Sequence, residues 1–160
     1  MLDFSAGMFI IVSRRRRIVM KFWIVFLALA VSGCRAAEST PVVPHLDIRK
    51  FMGTWYEQAR TPNWFQKGLT GVSAHYTLLP DGRIKVVNSG FRKGKRVSIT
   101  GYARFASKQQ NGELEVSFFP PFYAPYRVVL ITPDYSFAVI MGGSPEYVWL
   151  LSRQKTPGTP

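Results

Sequence analysis

Thiols are nearly absent from this chain: of 160 residues only Cys34 is a cysteine. That excludes an internal disulfide framework and any C-x-x-C redox or zinc motif. Histidine is almost as scarce, with His45 and His75 the only two. His45 falls in a proline-bearing stretch, and strand alternation turns His75 outward with no serine or cysteine motif beside it, so no nucleophile and base can be paired. There is no H-E-x-x-H pair and no glycine-rich phosphate loop. The sequence therefore predicts a protein that is not an enzyme, with no metal site and no cofactor. Acidic residues are few as well, nine against 21 basic, for a net charge of +12. Part of that excess is N-terminal, in Arg14, Arg15, Arg16, Arg17 and Lys21. No RNP-like, helix-turn-helix or zinc-finger pattern accompanies it, which argues against nucleic acid and for an anionic membrane surface, or simply a solvated basic face.

Long apolar runs are missing too. The longest, Phe22 to Val31, has ten residues, about half of what a membrane-crossing helix needs. Set behind Lys21 and before the small residues Ser32 and Gly33, it has the layout of a secretory signal peptide over 1–33, and Met20 could serve as the true start. Val31-Ser32-Gly33-Cys34 resembles the bacterial lipobox, which implies lipid attachment at Cys34. Residues 34–45, with Pro41 and Pro44, read as a tether, and 156–160 as a tail. Arg35 stands where an aspartate would favour inner-membrane retention in many Gram-negative lipoproteins. The expected place is therefore the outer membrane, lipid-anchored and facing the periplasm.

What the chain has in quantity is apolar residues, 47% with 14% aromatic, arranged with period two between turn residues. Val72, Ala74, Tyr76 and Leu78 alternate with polar neighbours; Asp81-Gly82 turns the chain into Ile84, Val86 and Asn88. The pattern resumes over 97–105 and 114–118, and with 53–60, 125–131, 136–141 and 146–152 it gives eight strands with short connections. No long amphipathic helix intervenes. The expected fold is all-β, an eight-stranded antiparallel up-and-down barrel, which removes its own edges and has room for one small ligand.

Three ordered motifs carry a family resemblance. Gly53-Thr54-Trp55-Tyr56 looks like the lipocalin G-x-W motif, Pro133-Asp134-Tyr135 like the second signature and Leu151-Ser152-Arg153 like the third. The stretches GTWYEQAR, SFFPPFY and YVWLLSR resemble bacterial outer-membrane lipocalins related to apolipoprotein D, over residues 46–155. The resemblance implies fatty acid or lysophospholipid as ligand and, in some members, a homodimer. A plug over 46–52, expected as a short 3-10 turn, would cross one end of the barrel, and little or no C-terminal helix is expected, a departure from longer lipocalins that pack a helix after the eighth strand.

In a meander of eight strands, the start of the first, the turn after the sixth and the end of the eighth share one end of the barrel. That end is the base, with Gly53, Trp55, Asp134, Tyr135 and Arg153 in structural roles and Arg153 stacked on the Trp55 ring. The mouth is then formed by loops 61–70, 91–95, 120–125 and 142–145. It presents Trp64, Phe65, Phe122 and Tyr123 beside Arg92, Lys93, Lys95 and Arg96, a basic run that reads as a solvated hairpin or as a site for anionic headgroups.

Inward parity selects Ala59, Ala74, Tyr76, Val86, Asn88, Ile99, Gly101, Val116, Phe118, Val128, Tyr147 and Trp149 as the ligand-binding set, with Ala59, Ala74 and Gly101 leaving volume unfilled. Glu57 is a candidate inward anchor or a satisfied base residue. The functional expectation is non-covalent lipid binding for storage, transport or repair of envelope lipids. A scaffold that uses the mouth against a protein partner, or a tetrapyrrole carrier, is the alternative.

Overall fold

The computed structural model describes residues 41–155. The signal segment, Cys34 and the 156–160 tail lie outside the described residues.

Eight strands follow one another: β1 (Gly53–Arg60), β2 (Leu69–Leu78), β3 (Ile84–Arg92), β4 (Lys95–Phe105), β5 (Glu113–Phe119), β6 (Phe122–Ile131), β7 (Phe137–Met141) and β8 (Val148–Ser152). Each pairs antiparallel with the next, and β8 returns to β1 through Tyr56 opposite Ser152 and Arg60 opposite Trp149, closing the barrel. The β3–β4 hairpin turns on Lys93 and Gly94 alone, with φ of 53° and 73°. A two-residue turn with both φ positive matches the twist of the flanking strands, so pairing extends to Arg92 opposite Lys95. The third and fourth strands are longer than alternation suggests for this reason. β6 starts earlier than expected, because Pro125 sits within it opposite Glu115 and interrupts the apolar pattern without ending the strand.

The plug is one turn of α-helix, α1 (Ile48–Phe51), and not the expected 3-10 turn. Phe51 N–H donates to Asp47 C=O at 3.0 Å and Met52 N–H to Ile48 C=O at 3.2 Å, both reaching back four residues. Asp47 makes this possible: its Oδ1 accepts from the backbone N–H of Arg49 and Lys50, satisfying donors that the first turn leaves unpaired. Ahead of the plug, Val43 N–H donates to Val128 C=O and Gly112 N–H to Val43 C=O, while Leu46 N–H donates to Gln110 C=O. The chain is thus stitched to the base before residue 46. A Cβ on Gly112 would stand 2.3 Å from Val128 O, so the close approach requires glycine.

The core fills the base half of the barrel. Leu46, Phe51, Trp55, Ile84, Val128 and Ile140 are fully buried. Phe51 places its ring 5.2 Å from those of Trp55 and Tyr76, so α1 covers the barrel end with apolar surface.

Candidate functional site

The base is closed by an interlock of the three motifs. The Arg153 guanidinium lies 4.0 Å from the Trp55 ring, and its N–H groups donate to Thr54 O (3.0 Å), Lys50 O (2.6 Å) and Tyr135 O (3.3 Å). Burial lowers its pKa from the ordinary guanidinium value, which leaves it charged. Trp55 Nε1 donates to Phe51 O at 2.8 Å, tying the same ring to the plug. Gly53 has φ +93° and an added Cβ would meet Arg153 Nη1 at 3.3 Å, so this glycine serves both the backbone conformation and the guanidinium's seat. Tyr135 accepts from Asp47 N–H through its hydroxyl at 2.9 Å. Hydrogen bonds from Thr132 and Ser136 hold the exposed Asp134 carboxyl below its usual range. All five residues expected at the base are there.

Above the base, Tyr76 on β2 and Tyr126 on β6 meet across the barrel, their hydroxyls 2.8 Å apart. Tyr76 is opposite Val86 and Tyr126 opposite Leu114, both buried. The pair forms a floor. Burial pushes Tyr76 up to about 12 and Tyr126 well above the ordinary phenol value, so both hydroxyls keep their protons.

Beyond this floor the inner wall opens. Val97, Ile99, Gly101 and Ala103 share the inner face of β4, whose ladder with β3 has no irregularity. Along that face exposure runs from 40% at Val97 and 41% at Ile99 to 4% at Ala103. The side chains are apolar and inward, yet reachable. Asn88 stands opposite Ile99 and Ala74 on this wall, and its Oδ1 is buried with no hydrogen-bond partner. Ala74, Val116 and Phe118 are half-buried there, and Trp149 faces in opposite the buried Ile140.

Several expected positions are corrected. Ala59 is exposed on the outer wall opposite Leu150, because a bulge between Glu57 and Ala59 exchanges the faces of the strand and turns Arg60 inward opposite Trp149. Gly101 faces inward but leaves no free volume: a Cβ there would lie 2.6 Å from the Phe118 ring and 2.5 Å from Ser117 O, so Phe118 already uses the space. Val86 and Val128 are core beneath the opening rather than part of its wall. Tyr147 lies in the β7–β8 loop ahead of β8, with its ring 6.1 Å from Phe65. Tyr123 is drawn to the outer wall, where the Arg104 guanidinium sits 4.1 Å from its ring.

The bulge also creates a polar network that alternation does not reveal. Glu57 is inward, and its carboxylate is ion-paired with Arg60 and accepts from Gln66 Nε2 at 3.0 Å. Gln66 Oε1 accepts in turn from Trp149 Nε1 and Asn63 Nδ2, each at 2.8 Å. Arg60 Nη2 reaches the carbonyls of Gln66 and Leu69. Loop 61–68 is therefore folded over the β1–β8 side of the mouth and pinned from inside. Glu57 is inward and satisfied, as the second of the two expectations has it, but by Arg60 and the loop residue Gln66 rather than at the base. Arg60, Gln66 and Tyr126 were missed by the alternation analysis. Tyr126 was within its reach, since it shares the parity of Val128, whereas the other two depend on the bulge and on loop conformation.

The rim keeps Trp64, Phe65 and Phe122 exposed, beside exposed Arg92, Lys93, Lys95 and Arg96. Arg92 donates to Phe65 O at 3.2 Å, joining the hairpin to loop 61–68.

A closed antiparallel barrel of eight strands, sealed by an arginine on a tryptophan at one end and open over an apolar wall at the other, defines a calyx-shaped binding protein. The chain belongs to the lipocalin family: the lipocalin-like domain model matches residues 46–157. It is 37% identical over 133 residues to outer membrane lipoprotein Blc of Citrobacter freundii, covering 82% of this chain and 75% of that one. It is 38% identical over 138 residues to the Vibrio cholerae Blc, covering 84% and 81%. Apolipoprotein D of Rattus norvegicus is 35% identical over 126 residues, 72% of this chain and 65% of that protein. Among solved structures, insecticyanin from the tobacco hornworm Manduca sexta superposes with TM-score 0.62 at 20% identity, over 74% of this chain and 69% of that one, a likeness of fold alone. Lipocalins are binding proteins rather than enzymes, and this one is built to hold a small hydrophobic ligand.

Proposed function

We propose that this lipocalin is attached through lipid on Cys34 to the outer membrane, on its periplasmic side, and holds a fatty acid or lysophospholipid in the mouth half of its barrel for storage, transport or repair of envelope lipids. The carrying observation is the inner wall of β4, where Val97 and Ile99 stay about two-fifths exposed above the closed Tyr76–Tyr126 floor. Apolar surface facing inward and uncovered is what an acyl chain would bury, at about 0.8 kcal/mol per methylene before ordering costs. The cationic rim meets the charged headgroup, whose burial deeper in the barrel would be expensive. That relatives at 37–38% identity are outer membrane lipoproteins supports the anchor and the membrane.

The test is titration of the protein with fatty acid and lysophospholipid, followed by tryptophan fluorescence, with Trp149 as the inward reporter. Saturable binding near one lipid per barrel is expected. No binding of either lipid by the folded protein would contradict the reading.

A further inference from the structure

The wall that would hold an acyl chain is not uniformly apolar. Asn88 lies on it with its amide oxygen buried and unpartnered. Tyr76 is its diagonal neighbour on the same face, since Asn88 pairs with Ala74 and Tyr76 with Val86. The two tyrosine hydroxyls at the floor use one proton to bond each other, which leaves a second O–H as donor. An unpartnered acceptor on Asn88 and the hydroxyl pair that begins at its diagonal neighbour Tyr76 thus belong to one inner face.

The cations nearby are committed. Arg60 is held by Glu57 and two carbonyls, and Arg153 lies beneath Trp55. An ionised carboxylate at this depth would lose its hydration with no positive partner. A carbonyl would use the donor alone. A hydroxyl donates and accepts, and so satisfies both.

We propose that Asn88 and the Tyr76–Tyr126 hydroxyl pair form a neutral subsite that selects acyl chains carrying a hydroxyl group near the buried end. This rests on the lipid-binding reading above and specifies its ligand. Asn88 is five residues below Lys93 at the hairpin tip. At about 3.3 Å per residue and a tilt of about 40°, that is a depth of roughly 13 Å. A chain of roughly ten carbons entering tail first, its carboxylate left at the cationic rim, would bring a terminal hydroxyl to the subsite.

The experiment compares plain fatty acids with their ω-hydroxy counterparts of roughly ten to sixteen carbons. Their dissociation constants are measured on the purified full chain, on Asn88→Leu and on the double variant Tyr76→Phe/Tyr126→Phe, which removes both hydroxyl donors. One matched hydrogen bond predicts a preference of roughly five- to tenfold for the ω-hydroxy acid, greatest at one chain length. Both variants should shrink that ratio toward one. A general packing defect would weaken both acids alike and leave the ratio unchanged, so the ratio is read rather than either affinity. Equal binding of the two series by the unaltered protein, or a preference that survives in both variants, overturns the subsite while leaving lipid binding intact. Failure of both series to bind the folded protein overturns the lipid reading and the subsite with it.

Discussion

The two halves of this barrel are made of the same strands but follow different rules. In the base half the motif side chains are partnered: Trp55 packs against Phe51 and Arg153, and its indole N–H and the Arg153 guanidinium are hydrogen-bonded to backbone carbonyls. In the mouth half inward apolar residues remain exposed, an asparagine oxygen is left without a partner, and the polar residues that are satisfied belong to a network holding a loop in place. Stability resides in the first half and adaptability in the second.

Substitutions should separate the halves by their cost. The largest effect belongs to the base: Trp55→Ala removes a fully buried ring and the surface on which Arg153 rests, for an expected loss of about 3–5 kcal/mol in urea unfolding. Next is Gly101→Val. Its branched side chain must displace the Phe118 ring or the Ser117 carbonyl, so about 1–3 kcal/mol should be lost, with ligand affinity reduced as Phe118 is pushed into the opening.

A smaller and opposite effect is expected at Asn88. Asn88→Leu removes an unpartnered buried polar atom, and the same unfolding measurement should show equal or greater stability, by up to about 1 kcal/mol. A substantial loss there would mean that Asn88 supports the fold and that the contrast between the halves is overdrawn.

The floor between the halves predicts a pH response. The folded pKa of Tyr76, about 12, is above its unfolded value of 10.0. Its contribution is complete below pH 10 and is withdrawn as the pH rises from 10 toward 12, when the unfolded chain ionises and the buried pair does not. Alkaline unfolding should therefore steepen in that window. The smallest effect is at Asp134, whose lowered pKa makes its contribution present above the unfolded value and lost as the pH falls through the folded one. Asp134→Asn should flatten the acid limb of the unfolding curve slightly.

How much of this was legible in the sequence divides along the same line. The base was readable because its parts are motifs with fixed residue types, and the meander brings their positions to one end whatever the loops do. β1 was placed over 53–60 as found. In the mouth half the reading depended on counting alternate residues, and one extra residue defeats that count. The bulge after Glu57 sent Ala59 outward and Arg60 inward, and nothing in the local pattern GTWYEQAR distinguishes a bulge from a regular strand. Gly101 illustrates a second limit, since a small inward residue is a cavity or a seat depending on a ring seventeen positions away in sequence. Gln66 illustrates a third: a loop glutamine becomes the centre of a half-buried network only once the loop has folded back.

A ligand held in the mouth half should leave the base untouched. The indole N–H groups of Trp149 and Trp55 report on the two halves separately, one bonded to Gln66 and the other to the plug. Their resonances, followed in a nitrogen–proton correlation spectrum during titration with a fatty acid, test it directly. The Trp149 signal should move saturably while the Trp55 signal stays in place. Movement of Trp55 with Trp149 unchanged, or of neither in a protein that binds the lipid, would contradict it.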